Sequence, residues 1–203
     1  MPRGLTKRRP LTRARLLDAA LDTFAEIGFQ GATIEQICDR AGFTRGAFYS
    51  NFATKEELFY ALFERNAALV VERMEAVAAQ VDPGLPWASQ IAELTSSVGP
   101  DERRWFLIST EFTLYAIRNP AAATVLAEHD AKLRAAMLPI LREMYDRAGL
   151  VPTVGLDLVA RLLTAMREGG MAQSYVEPAE FPPGQLERLF GAAVLRAVAT
   201  PQP

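Results

Sequence analysis

The sequence predicts an all-α protein of about nine helices, a three-helix N-terminal head carrying a helix-turn-helix followed by a C-terminal helical bundle. Three observations carry that reading. Apolar residues recur at three-to-four spacing through most of the chain, and no segment reads convincingly as a strand. Capping and stop residues, such as Thr33 with Gln36 and Asn119 followed by Pro120, fall between the periodic blocks. Apolar residues make up 50% of the 203, with a single cysteine, so a core can form without disulfides.

Residues 1–11 carry Arg3, Lys7, Arg8 and Arg9 with two prolines and no apolar period, which reads as a flexible arm that either adds phosphate or minor-groove contacts or merely aids solubility. Thr12 is expected to cap a helix to Ala25 or Ile27, with Leu16, Leu17, Ala20, Leu21 and Phe24 on one stripe and Gly28 as its stop. Thr33 and Gln36 form a capping box for a second helix that ends at Gly42. Thr44 opens a third helix of about two turns, too short to stand alone, so Phe48 and Phe52 must pin it. Thr54 and Glu57 suggest another capping box, starting a helix to about Gln80, roughly 40 Å long, that joins the head to the rest. After D-P-G-L-P at 82–86, helices are expected at 86–98, 101–118, 121–148, 154–176 and 183–199. Pro139 is expected to kink or divide the block 121–148.

The stretch 33–55 holds the chemistry. Ile34, Ile37, Cys38, Ala41, Ala47 and Phe48 can form one small inner face, which makes Cys38 a core residue in preference to a redox sensor. Thr44, Arg45, Ser50, Asn51 and Lys55 remain as outward hydrogen-bonding groups. Two short helices about a tight turn lay one helix in the DNA major groove. Charge agrees with this: residues 1–55 hold nine Lys or Arg against five Asp or Glu, and the remainder thirteen against nineteen. Arg45 can read guanine O6 and N7 together, and Gly46 and Ala47 allow close approach. Tyr49 is expected to pack its ring on the head with its hydroxyl outward, and Phe43 and Phe52 to pack. Lys55 stands at the start of a helix, where the dipole disfavours a cation; a DNA phosphate would account for it, and a solvated lysine is the plainer alternative.

One histidine and one cysteine exclude the usual His/Cys metal clusters, and no H-E-x-x-H, G-x-S-x-G or phosphate-cradling glycine loop occurs. No catalytic residue, metal or cofactor is therefore expected, and an all-α enzyme is disfavoured. The acidic remainder also argues against a non-specific architectural DNA protein. The basic start resembles a signal-peptide n-region, but Asp18, Asp22 and Glu26 interrupt the apolar segment after it, so the chain reads as unprocessed, cytoplasmic and without a membrane span.

The segment A-G-F-T-R-G-A-F-Y-S-N-F-A-T-K-E-E-L, 41–58, resembles the signature of the TetR family of bacterial transcriptional regulators, and the likeness reaches back through F-A-E-I-G-F-Q-G-A-T to cover about the first 60 residues. The resemblance implies residues 1–54 as arm and DNA-binding domain and 55–203 as ligand-binding and dimerisation domain. It implies a homodimer through the helices at 154–176 and 183–199, a palindromic double-stranded operator, and repression released by a small-molecule inducer, with activation as the alternative. Carried over, Thr33 would contact a phosphate, Thr44, Arg45, Gly46 and Ala47 would face bases, and Tyr49, Ser50, Asn51 and Lys55 would lie along the phosphates. Asn51 departs from the histidine or tyrosine frequent there. Trp87, Trp105, Phe112, Tyr115, Met144 and Met166 could line a ligand pocket between helices, ordinary core being the alternative. Glu111, Arg118, His129 and Arg167 are candidate polar anchors or solvated surface.

Overall fold

The computed structural model describes residues 5–79 and 101–202. The helix expected at 86–98 and the pocket candidate Trp87 lie outside them. In chain order the elements are α1 (Leu5–Gly31), α2 (Ile34–Ala41), α3 (Arg45–Tyr49), α4 (Lys55–Ala79), α5 (Glu102–Arg118), α6 (Pro120–Arg147), β1 (Leu150–Pro152), α7 (Leu156–Val176), α8 (Gln185–Ala197) and β2 (Ala199–Pro201). Among the described residues no helix is long and apolar enough to cross a membrane.

The all-α expectation holds, with four local differences. The arm is helical from Leu5, so Thr12 lies inside α1 and not at its start; Pro10 is accommodated near the helix start, where its missing amide costs one hydrogen bond. Residues 150–152 and 199–201 pair as a two-stranded antiparallel ribbon, Leu150 opposite Pro201 and Pro152 opposite Ala199. Three-residue strands with a proline at one end of each leave no alternating signal to read. α6 runs through Pro139 as one helix. At α4, Thr54 Oγ1 accepts from the Glu57 amide at 3.1 Å, but the Glu57 carboxylate turns to the Ala53 N–H at 2.6 Å, one residue before the position a capping box would use.

Packing groups the chain into two compact units, one drawn from Met1–Asn66 and Asp101–His129, the other from Ala67–Pro100 and Asp130–Pro203. This grouping differs from the boundary expected at residue 54, since packing keeps the start of α4 and all of α5 with the head. The reason lies in aromatic spacing. Phe59 and Phe63 are four apart on α4, and Trp105 and Phe112 seven apart on α5, so each pair shares one helix face. Ring centroids are 4.6 Å apart for Phe29 and Phe59, 4.5 Å for Phe59 and Phe112, and 4.5 Å for Phe63 and Trp105. Fully burying each such ring contributes about 1.5–3 kcal/mol.

In the second unit Leu141, Met144, Tyr145, Val159, Ala160, Leu163 and Leu195 form the core. The Tyr145 hydroxyl donates to the Leu195 carbonyl at 3.1 Å, and burial pushes its phenol pKa up.

Candidate nucleic-acid interface

The helix pair α2–α3 is built as its sequence dictates. Thr33 Oγ1 accepts from the Gln36 amide at 3.2 Å while Gln36 Oε1 accepts from the Thr33 N–H at 2.9 Å, completing the capping box. Gly42 takes the left-handed conformation (φ 70°, ψ 35°) that ends α2 and turns the chain, a position where any side chain would be strained. Thr44 caps α3, accepting from the Ala47 amide at 3.3 Å. Five residues cannot hold a helix alone, and Phe48 and Phe52, both buried in the shared core, pin α3 as expected. Cys38 is buried beside them, and burial raises its thiol pKa.

Three α1 arginines complete the head in a way the sequence did not announce. Arg15 Nη2 donates to the Ala41 carbonyl at 2.9 Å, with its guanidinium 4.8 Å from the Phe43 ring. Arg13 donates to the Asn51 carbonyl at 3.4 Å and stacks on Phe52 at 4.3 Å, and Arg9 donates to the Ser50 carbonyl at 3.3 Å. They satisfy carbonyls at the C-terminal ends of α2 and α3, where a cation is favoured. The positions 9 and 13, four apart on α1, were the available signal, but it points nowhere until the packing partner is known.

The residues of α3 expected to face bases or to lie along phosphates are largely exposed. Thr44, Arg45, Gly46, Tyr49 and Ser50 are exposed and Ala47 is half-buried. A Cβ built on Gly46 would meet only Thr44 Oγ1, at 3.7 Å, so the face is open there. Arg45 Nη1 lies 2.7 Å from Glu35 Oε1 of α2, and Arg45 Nη2 donates to the Tyr49 hydroxyl at 3.4 Å. Tyr49 and Glu35, in that order, hold the Arg45 guanidinium further towards its charged form. The Tyr49 ring sits edge-on to Phe48 at 5.4 Å with about half its surface exposed, 49%. Ser50 Oγ donates to the Gly46 carbonyl at 2.8 Å, which leaves its lone pairs outward. Thr33 uses its hydroxyl oxygen and amide in the capping box, and its hydroxyl proton is not used there.

Asn51 and Lys55 are engaged inward. Asn51 Nδ2 donates to the Ala47 carbonyl at 2.8 Å, a half-buried arrangement that closes the end of α3. Lys55 Nζ donates to the carbonyls of Phe29 and Ala32, each at 2.8 Å, and lies 4.7 Å from the Phe29 ring. This gives Lys55 a structural reason that neither the phosphate nor the solvated reading supplied. It clamps the turn that ends α1, and one of its three protons remains for another acceptor.

The pocket candidates separate into two groups. Phe112 is buried in the first core, with Trp105 and Tyr115 packed against it; Met144 belongs to the second core, with Met166 beside it. Each of these five takes part in the core of its own unit. Glu111, considered as a ligand anchor, instead accepts from the Phe29 amide at 2.8 Å and the Gln30 amide at 3.4 Å.

The model for bacterial regulatory proteins of the tetR family matches residues 16–62, and that for the C-terminal part of BetI-type transcriptional repressors matches residues 84–199. The chain is similar to the transcriptional regulator UidR of Escherichia coli K12, 24% identical across 82% of this chain and 83% of that one. It is likewise similar to the transcriptional repressor AcnR of Corynebacterium diphtheriae, 27% identical across 78% of each. A transcriptional regulator from Saccharomonospora viridis, solved in complex with choline, shares the fold with a TM-score of 0.72 and 17% identity over 94% of this chain and 98% of that one.

Proposed function

Because the chain belongs to the TetR family of bacterial regulatory proteins and is a DNA-binding transcriptional regulator, we propose that it is a homodimeric repressor that two α3 helices seat on a palindromic operator and that a small molecule releases. The observation that carries the DNA contact is the exposed side of α3: Thr44, Arg45, Gly46, Tyr49 and Ser50 present donors and an open backbone, with no large apolar group but the Tyr49 ring. In this reading Arg45 reads a guanine, Thr44, Gly46 and Ala47 approach the groove floor, and Thr33, Tyr49, Ser50 and the remaining Lys55 proton meet phosphates. Asn51 acts through α3, closing its last turn, more than through DNA. Residues 1–54 form the DNA-binding part and 55–203 the part that binds ligand and dimerises.

The exposed apolar face of α7 and α8, with Leu158, Leu162, Leu189 and Phe190, supports a second copy as partner. Two copies would set their recognition helices about 34 Å apart, one turn of DNA. The small-molecule reading is supported by the choline held in a regulator of the same fold. A ligand that favours the body conformation with misplaced heads lowers operator affinity by its differential affinity, typically about five- to 150-fold.

The test begins with a duplex selected from random 30-mers by the wild-type protein. Arg45→Ala is expected to bind that duplex about tenfold to a hundredfold more weakly while losing little on a scrambled duplex. Equal losses on both would contradict base reading by Arg45.

A further inference from the structure

Arg45 does not extend from α3 as an unengaged cation. Its Nη1 lies 2.7 Å from Glu35 Oε1, its Nη2 reaches the Tyr49 hydroxyl at 3.4 Å, and its guanidinium centre lies 5.8 Å from the Tyr49 ring. Glu35 stands in the first turn of α2, one helix away, and is exposed beside it. A carboxylate on the face expected to meet a polyanion opposes binding and requires a reason. Support of α2 supplies part of one, since an acid complements the helix N-terminus. That role asks for a carboxylate in the first turn; it does not ask for contact with the recognition arginine.

We propose that Glu35 is a specificity-determining residue that acts through Arg45, holding the guanidinium oriented for a base edge while neutralising it towards phosphates. The inference rests on the reading of Arg45 as the base-reading residue. On unrelated DNA no guanine is held in register with the fork of donors, so the Glu35–Arg45 pair persists. Arg45 then displaces no counterion, and the complex is weaker than the head's formal charge would allow. At the right guanine the same pair is an asset. Glu35 occupies one edge of the guanidinium and Tyr49 lies under it, so the side chain enters the groove with its orientation set and with donors left for O6 and N7. Little rotamer freedom remains to be lost on binding. Glu35 thus widens the gap between specific and non-specific DNA from both ends.

The test is a double-mutant cycle with Glu35→Gln, Arg45→Ala and both together. Each is titrated against the selected duplex and a scrambled duplex of the same composition over a series of salt concentrations. Circular dichroism of each variant verifies that α2 is intact. Glu35→Gln is expected to tighten scrambled-duplex binding several-fold and to steepen its log K against log salt slope by about one. The selected duplex should gain less, so the specificity ratio falls. With Arg45→Ala in the background, Glu35→Gln should leave both the ratio and the slope nearly unchanged. An equal gain from Glu35→Gln with and without Arg45 would mark a general charge effect and overturn the proposal, as would an unchanged specificity ratio in the single variant. If instead Arg45→Ala alone leaves base preference intact, the base-reading assignment fails, a result distinct from a missing Glu35 effect.

Discussion

The α2–α3 pair and the α7–α8 pair are both helix pairs from one chain, and they distribute polarity in opposite ways. α2 and α3 bury Ile37, Cys38, Ala41 and Phe48 and leave Tyr49 as their one exposed large apolar side chain. Their terminal carbonyls are taken up by arginines from α1. In α7 and α8, Leu158, Leu162, Leu189 and Phe190 are 57%, 41%, 62% and 51% exposed, whereas Glu187 is 1% exposed. Among the described residues neither Glu187 oxygen accepts a hydrogen bond, and Arg167 Nη1 approaches only to 3.6 Å. Burial pulls the Arg167 pKa down against the attraction of that carboxylate. The first pair is finished with polar groups for a charged polymer. The second offers water an apolar face of a kind that single domains rarely leave uncovered.

The strongest way to break this contrast is to make the second face polar. Leu162→Glu with Phe190→Glu is expected to convert the protein from dimer to monomer at micromolar concentration in sedimentation velocity. The reason is the loss of side chains that would each contribute about 1.5–3 kcal/mol when buried. Operator binding should fall by about a hundredfold or more, because one head then binds without the avidity of its twin. An unchanged sedimentation coefficient would show that another surface joins the copies or that none does.

A change in the head should do the reverse, lowering stability while oligomeric state stays constant. Gly28 has φ 79° and ψ 161°, a region essentially restricted to glycine, and a Cβ there would lie 2.9 Å from both Glu111 carboxylate oxygens. Those oxygens accept the Phe29 and Gln30 amides, while Lys55 takes the Phe29 and Ala32 carbonyls from the other end of the same turn. Gly28→Ala should therefore cost about 1–3 kcal/mol. It should lower the calorimetric midpoint by several degrees, roughly 2–4 °C per kcal/mol for a chain of this size, with unchanged sedimentation. A variant as stable as wild type would mean that the turn relaxes freely.

Much of the head was legible because its signals are local. Thr33 with Gln36, Gly42 and Thr44 each act within four residues, and they are found where caps and turn were expected. What stayed hidden is made between segments distant in sequence. Lys55 reads as a misplaced cation until Phe29 and Ala32 are beside it, and Glu111 reads as a ligand anchor until the Gly28 turn is seen to need its carboxylate. The pocket candidates carry a similar ambiguity: aromatic and thioether residues at helical spacing serve a core and a cavity equally well, and Phe112 and Met144 each take part in the core of their own unit. Glu35 carries the wrong charge for a DNA contact, so its residue type gives no signal, and its meaning comes only from its distance to Arg45.

The smallest expected effect concerns the polar edge of α7, next to the apolar face. Asp157, in the first turn of that helix, accepts from Arg161 Nε at 2.9 Å and from Arg134 Nε of α6 at 3.1 Å. The hydrogen bond from Arg161 is the main cause that holds its carboxyl below the ordinary value; burial opposes it, and the hydrogen bond from Arg134 and the charges of both arginines add to the lowering. Between the depressed folded value and the usual aspartate value of about 3.9, the unfolded chain binds more protons than the folded one. The contribution is therefore complete above about pH 5 and is lost as pH falls through the folded value. Asp157→Asn should lower the unfolding midpoint slightly and by a constant amount from pH 6 to 8, with the difference closing in acid and shrinking in about 1 M salt, where screening reaches about 3 Å. Because Asp157 is exposed and the substitution leaves its apolar neighbour Leu158 in place, the sedimentation coefficient should be unchanged. A difference that persists undiminished into acid would mean that the carboxylate's charge is not what ties α7 to α6.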